Sequence, residues 1–197
     1  MPDKKPRTVC VYCASSRSAD PKYAQSARRL GGLLAEAGVE IVYGGGAVGS
    51  MGALADGALA GEGRVVGVLP HFMDEVEWGH TALTELRLVA DMHERKRTML
   101  EGVDATVALP GGCGTLEELL EAITWKRLGL FFEPIVVVNQ DGYFNPLLAT
   151  LNRAVDERFM NPQHRAMWSV VESVEQVLPA IEATPPWDRD ARSFAGA

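Results

Sequence analysis

Ala108-Leu109-Pro110-Gly111-Gly112-Cys113-Gly114-Thr115-Leu116-Glu117-Glu118 carries an apolar segment into a glycine loop and out again into a helical pattern. A strand that turns through glycine into a helix leaves backbone N–H groups without partners at the helix N-terminus, where the dipole favours an anion. A phosphate suits that place. Gly111, Gly112 and Gly114 let it approach the backbone closely, and the Thr115 hydroxyl is able either to cap the helix or to bond a phosphate oxygen. Glu117 and Glu118 fall in the first helical turn. One use for them is dipole complementation, worth a few tenths of a kcal/mol up to about one. The other is to face a ribosyl ring that develops positive charge, since two carboxylates beside a phosphate would otherwise repel the ligand.

Outward from this stretch the same unit recurs. Residues 8–13, 40–43, 64–69, 105–109 and 134–139 are short and rich in Val and Ile, as buried parallel strands are. Helical patterns lie between them, at 23–37 with Gly38 as C-cap, at 50–59 and at 116–128. A further helix is expected at 145–158, and a strand-helix pair within 169–182. The alternation predicts an α/β fold, a Rossmann-like doubly wound parallel sheet with helices on both faces and ligands at the carboxyl ends of the strands. The 197 residues, 47% of them hydrophobic, suit one domain with its core over about 8–183 and a mobile or partner-bound tail at 184–197.

The second glycine stretch, Gly44-Gly45-Gly46-Ala47-Val48-Gly49-Ser50-Met51-Gly52, satisfies G-x-G-x-x-G. A dinucleotide site also wants an acid at the end of the next strand, but residues 64–69 run into Pro70 and His71. No Lys precedes Ser50 as a Walker loop requires, and 48–52 is not a nucleophile elbow. These glycines read as a backbone wall around a sugar phosphate or as tight strand-helix packing. Cys10 and Cys13 make a C-x-x-C inside a strand rather than at a helix start, which argues against redox chemistry. The histidines are scattered, so no metal is called for, and no lysine has a setting for pyridoxal phosphate. A net charge of −7 argues against a nucleic-acid surface, and the chain shows neither a signal peptide nor a membrane segment, from which a cytoplasmic location is expected.

The third element is Asp91-Met92-His93-Glu94-Arg95-Lys96-Arg97-Thr98-Met99, the start of a helix reaching about Glu101. Cations in first turns oppose the dipole, so a solvated face explains them poorly. One arginine is free to enter the site, as a fixed cation able to orient a carboxylate or hold the ribose or departing base.

Taken together these stretches resemble the Lonely Guy (LOG) family, often labelled lysine decarboxylase. The family's P-G-G-x-G-T-x-E-E corresponds to Pro110 to Glu118, its M-H-x-R-K to Met92 to Lys96 and its G-G-G-x-x-G-x-M-G to Gly44 to Gly52. Val9 to Ser16 is similar to its V-x-V-Y-C-G-S-S, with Ala14 in place of Gly. The resemblance implies a cofactor-free enzyme, a homodimer or an assembly of dimers, that hydrolyses cytokinin riboside 5'-monophosphates or AMP to free base and ribose 5-phosphate. It implies Arg95 and Glu118 as the catalytic pair, with Glu117 on the ribose. Gly111, Gly112, Gly114 and Thr115 would hold phosphate, and Lys96, Gly45, Gly46, Glu77, Thr124 and Ser15 would contact substrate. Residues 76–80 depart from the pattern of plant members. A non-catalytic carrier of a phosphorylated cofactor on the same scaffold is the alternative, and an intact Arg95, Glu117 and Glu118 favours the enzyme.

Overall fold

The computed structural model describes residues 5–75 and 78–195. Seven parallel strands form one sheet: β1 (Thr8–Tyr12), β2 (Glu40–Tyr43), β3 (Val65–Pro70), β4 (Glu85–Val89), β5 (Ala105–Ala108), β6 (Ile135–Val138) and β7 (Ser169–Val171). Their order is β4-β3-β2-β1-β5-β6-β7, as expected of a doubly wound α/β fold. Tyr12 aligns with Ala108, and Val11 with Tyr43, so the carboxyl ends of β1, β2 and β5 finish side by side. The strand order reverses at β1, and the connections leaving β1 and β5 diverge to open a crevice.

Helices cover both faces. Residues of α1 (Pro21–Glu36), α2 (Gly49–Ala60) and α7 (Val177–Ala183) share one core with Val9, Val11, Ile41 and Val107. On the opposite face α4 (Met92–Leu100), α5 (Cys113–Arg127) and α6 (Asn145–Asp156) pack with Cys10, Val42, Val66 and Val137. A short α3 (His71–Asp74) follows β3. Helix α1 starts at Asp20, whose carboxylate accepts the Lys22 N–H, with Pro21 in the first turn. Helices α1 and α2 meet backbone to backbone, because a methyl group added at Gly57 would lie 2.1 Å from the Arg28 carbonyl oxygen.

Three features differ from the sequence-based expectation. Residues 85–89 form a strand that was not foreseen; Glu85 and Arg87 alternate with Leu86 and Leu88, as on an edge strand with one neighbour, so it lacks the apolar run of the central strands. Helix α5 begins at Cys113 instead of 116, because the glycine loop itself supplies the first turn. The segment from 184 to 195, expected to be mobile or to lie on a partner, is placed on its own chain. The Trp187 indole donates to the Lys126 carbonyl (3.0 Å) and the Arg192 guanidinium to that of Leu128 (3.1 Å), which satisfies the open C-terminal end of α5.

Candidate active site

At the carboxyl ends of β1, β2, β3 and β5 lies a cavity of about 620 Å³, within the usual range for small-molecule sites. Its walls come from the loop after β1 (Ser15, Ser16), the glycine stretch after β2 (Gly44, Gly46), α4 (Met92, Arg95) and the N-terminus of α5 (Gly112, Cys113, Gly114, Thr115, Glu118). The three sequence stretches that were singled out, far apart in the chain, thus converge on one place.

The N-terminus of α5 carries no side-chain cap. Gly112 is its N-cap residue, and Gly112, Cys113 and Gly114 are exposed and line the cavity, which therefore meets the open N-terminus of the helix. Thr115, the third residue of α5, is buried and lines the cavity; it does not cap the helix. Gly111 lies behind, its carbonyl accepting the Tyr143 hydroxyl at 2.6 Å, which holds the loop from the far side.

Arg95 and Glu118 form the floor. Asp91 caps α4 by accepting the N–H groups of His93 and Glu94, both at 2.8 Å, and this fixes the turn that carries Arg95. The Arg95 side chain is buried, with Nε donating to the Val68 carbonyl (3.0 Å) and Nη2 to that of Gly44 (2.8 Å). Its Nη1 stands 3.5 Å from Glu118 Oε1. Gly44 makes this possible, since a Cβ there would fall 2.0 Å from Arg95 Nη2. Glu118 is buried, and that burial pushes its carboxyl up from 4.5 to about 7 against the opposing pull of Arg95. A carboxyl poised near neutrality beside a locked cation, in a cleft, marks a candidate functional constellation.

The other residues singled out from sequence divide. Ser15 and Gly46 line the cavity; Gly45 is buried behind them. Lys96 turns away to pair with Glu117 (2.7 Å) and Glu121 (3.0 Å), and its ammonium is held charged chiefly by the bond to Glu117. Glu117 and Thr124 are exposed on α5 outside the cavity lining, the Thr124 hydroxyl donating to the Leu120 carbonyl (2.7 Å). Glu77 lies outside the described residues. Sequence reasoning missed the apolar wall of Met51, Leu69, Met73 and Trp78. Trp78 stands within residues 76–80, whose departure from the plant pattern was the available signal.

Cys10 and Cys13 are buried in the cores of opposite sheet faces, where burial raises both thiols above their ordinary range, so the C-x-x-C spacing makes no redox pair. Among the described residues no helix is long and apolar enough to cross a membrane.

Residues 51–181 match the family described as "Possible lysine decarboxylase". The chain is 41% identical over 180 residues to the cytokinin riboside 5'-monophosphate phosphoribohydrolase LOG7 of Arabidopsis thaliana, covering 91% of this chain and 83% of that one. The chain belongs to the LOG family. Another member, the cytokinin riboside 5'-monophosphate phosphoribohydrolase of Rhodococcoides fascians, is 42% identical over 179 residues, 90% of each chain. The LOG fold also extends to more distant proteins. A molybdenum cofactor binding protein from Rippkaea orientalis superposes with a TM-score of 0.70 at 22% identity, covering 91% of this chain and 98% of that one. That likeness concerns the fold.

Proposed function

We propose that this chain hydrolyses the N-glycosidic bond of adenosine 5'-monophosphates, N6-substituted as in cytokinin riboside 5'-monophosphates or plain as in AMP, and releases free base and ribose 5-phosphate. The observation that carries this reading is the buried Arg95–Glu118 pair lining the same cavity as the open N-terminus of α5. The names of the relatives at about 40% identity support it. The 5'-phosphate sits on the backbone donors of Gly112, Cys113 and Gly114 and the Thr115 hydroxyl, and so positions the sugar by binding energy remote from the reacting carbon. As the C1'–N9 bond breaks, its electron pair leaves with the base, and the Glu118 carboxylate stabilises the positive charge spreading over C1' and the ring oxygen. The same carboxylate takes a proton from the water that attacks C1', and that proton passes on to the departing base, which leaves neutral while Glu118 returns to its ionised form. Arg95, tied to two carbonyls, keeps Glu118 aimed and assists the departing base.

Glu117 and Lys96 act here through each other and through Glu118: the Glu117 charge adds to the upward pressure on the Glu118 carboxyl, and Lys96 moderates it. The homodimer belongs to the same proposal. Leu120 on α5 and Leu128 at its C-cap are exposed on one stripe with Thr124 between them, a surface suited to a second copy and able to carry Thr124 and Glu117 towards the partner's cavity. A cytoplasmic setting fits a reaction on free nucleotides.

Chromatography of products from AMP and isopentenyladenosine monophosphate tests the reading, with Glu118→Ala and Arg95→Ala variants whose circular dichroism matches wild type. Base and ribose 5-phosphate from wild type, reduced at least 100-fold in both variants, is the expected result. Intact nucleotide throughout, with measurable binding, would replace the hydrolase by the carrier. Light scattering that gives a monomer at assay concentration would remove the dimer.

A further inference from the structure

The cavity is lined by two chemically different sets of groups. Backbone donors of α5 and the Arg95–Glu118 pair make one, and the apolar side chains of Met51, Leu69, Met73 and Trp78 the other. Trp78 stands apart from its apolar neighbours because 58% of it is exposed. Its exposure is not that of a loose loop. The Trp78 carbonyl accepts the Ala47 N–H at 3.1 Å, its own N–H donates to the Met73 carbonyl at 3.3 Å, and the His80 N–H donates to the Gly45 carbonyl at 2.9 Å. Gly79 bridges Gly46 in the antiparallel sense, and the His80 ring meets the Asp56 carboxylate at 3.1 Å. The backbone around Trp78 is therefore fastened to the glycine stretch and to α2, while the ring is left at the cavity with most of its surface uncovered. A large aromatic surface kept in water on a restrained backbone is preorganised for a flat apolar partner.

Resting on the hydrolase reading, we propose that Trp78 is the stacking platform for the base and sets the affinity of the site for purine 5'-monophosphates. The base is the flat part of the substrate, and with the phosphate on the N-terminus of α5 and C1' over Glu118, the apolar side chains of the cavity wall remain for it. Stacking is indifferent to the edge of the base, since every base offers a π-face. Trp78 thus acts on substituted and unsubstituted adenine alike. Ribose 5-phosphate has no base and gains nothing from it.

The test uses the full chain with Trp78→Ala and Trp78→Phe. Steady-state kinetics on AMP and isopentenyladenosine monophosphate should show KM raised about 10- to 100-fold in Trp78→Ala, kcat changed by about threefold or less, and most of the loss recovered in Trp78→Phe. Inhibition by ribose 5-phosphate should stay within about twofold of wild type, which a merely disturbed glycine stretch would not permit. An unchanged KM, or a KM and a ribose 5-phosphate inhibition constant that weaken together, overturns the proposal. If wild type hydrolyses neither nucleotide, fluorescence titration with AMP decides the matter separately: quenching present in wild type and lost in Trp78→Phe keeps the platform while the hydrolase reading falls, and quenching equal in both removes the platform.

Discussion

Glu118 ties catalysis to pH at the level of one residue. With its carboxyl raised from 4.5 to about 7 by burial, it holds a proton in the folded chain over a window where the unfolded chain has already lost its own. Stability therefore falls as pH rises through that window, and the full cost, about 3 kcal/mol at most, is present above pH 7. Glu118→Gln should raise the Tm at pH 8 and leave it nearly unchanged at pH 4, as calorimetry at the two values will show. The proposed role needs the ionised form, so kcat/KM of wild type should fall about tenfold per pH unit below 7. Gly44→Ala acts on the partner. Its methyl group would occupy the space of Arg95 Nη2, and a drop in kcat of at least tenfold is expected with the fold kept, measured by product release beside circular dichroism. The glycine-loop motif made Gly112, Thr115 and Glu118 legible in sequence because they belong to one strand-loop-helix unit. Taken as residues alone it did not separate Glu118 from Glu117, and only the family resemblance assigned Glu118 to the catalytic pair and Glu117 to the ribose. Successive helical residues point about 100° apart, so one faces the cavity and the other meets Lys96, and nothing in the pair of letters says which.

Between elements the decisive contact is the α1–α2 pair, whose close approach brings the glycine stretch that opens α2 against the loop after β1. Met51 donates its backbone N–H to the Ala14 carbonyl at 3.0 Å, joining the two loops that flank the cavity. Gly57→Ala forces the helices apart, because the obstructing atom is a backbone oxygen that no rotamer change removes. The gain in helix propensity, up to about 1 kcal/mol, is smaller than the packing loss, and a net destabilisation of about 2 kcal/mol is expected. Urea unfolding should show the lower midpoint with an unchanged slope. Element by element, the central strands were legible because strands buried on both faces carry uninterrupted apolar runs. Strand β4 was not, since at the edge Leu86 and Leu88 alternate with Glu85 and Arg87 over only five residues. The 184–195 segment escaped for another reason. Its composition is that of a loop, and what places it is the need of the α5 carbonyls for donors, which no local pattern displays.

For the whole molecule the strand order decides where function sits. Because β1 lies between β2 and β5, loops from three separate parts of the chain and helix α4 from a fourth meet at one crevice, and a ligand there touches elements on both halves of the sheet. Such a ligand stabilises the fold as a unit by RT ln(1 + [L]/Kd), about 2.7 kcal/mol at a hundred times Kd. For a chain of this size that corresponds to a rise in Tm of roughly 5–10 °C. Ribose 5-phosphate and AMP should produce it, and adenosine at the same concentration should not, because the backbone donors at the N-terminus of α5 need the anion. The same asymmetry should appear in turnover, with kcat/KM for adenosine at least 100-fold below that for AMP. Equal shifts from adenosine and AMP would move the anchor of the site from the phosphate to the base, and Trp78 rather than the glycine loop would then define where substrate is held.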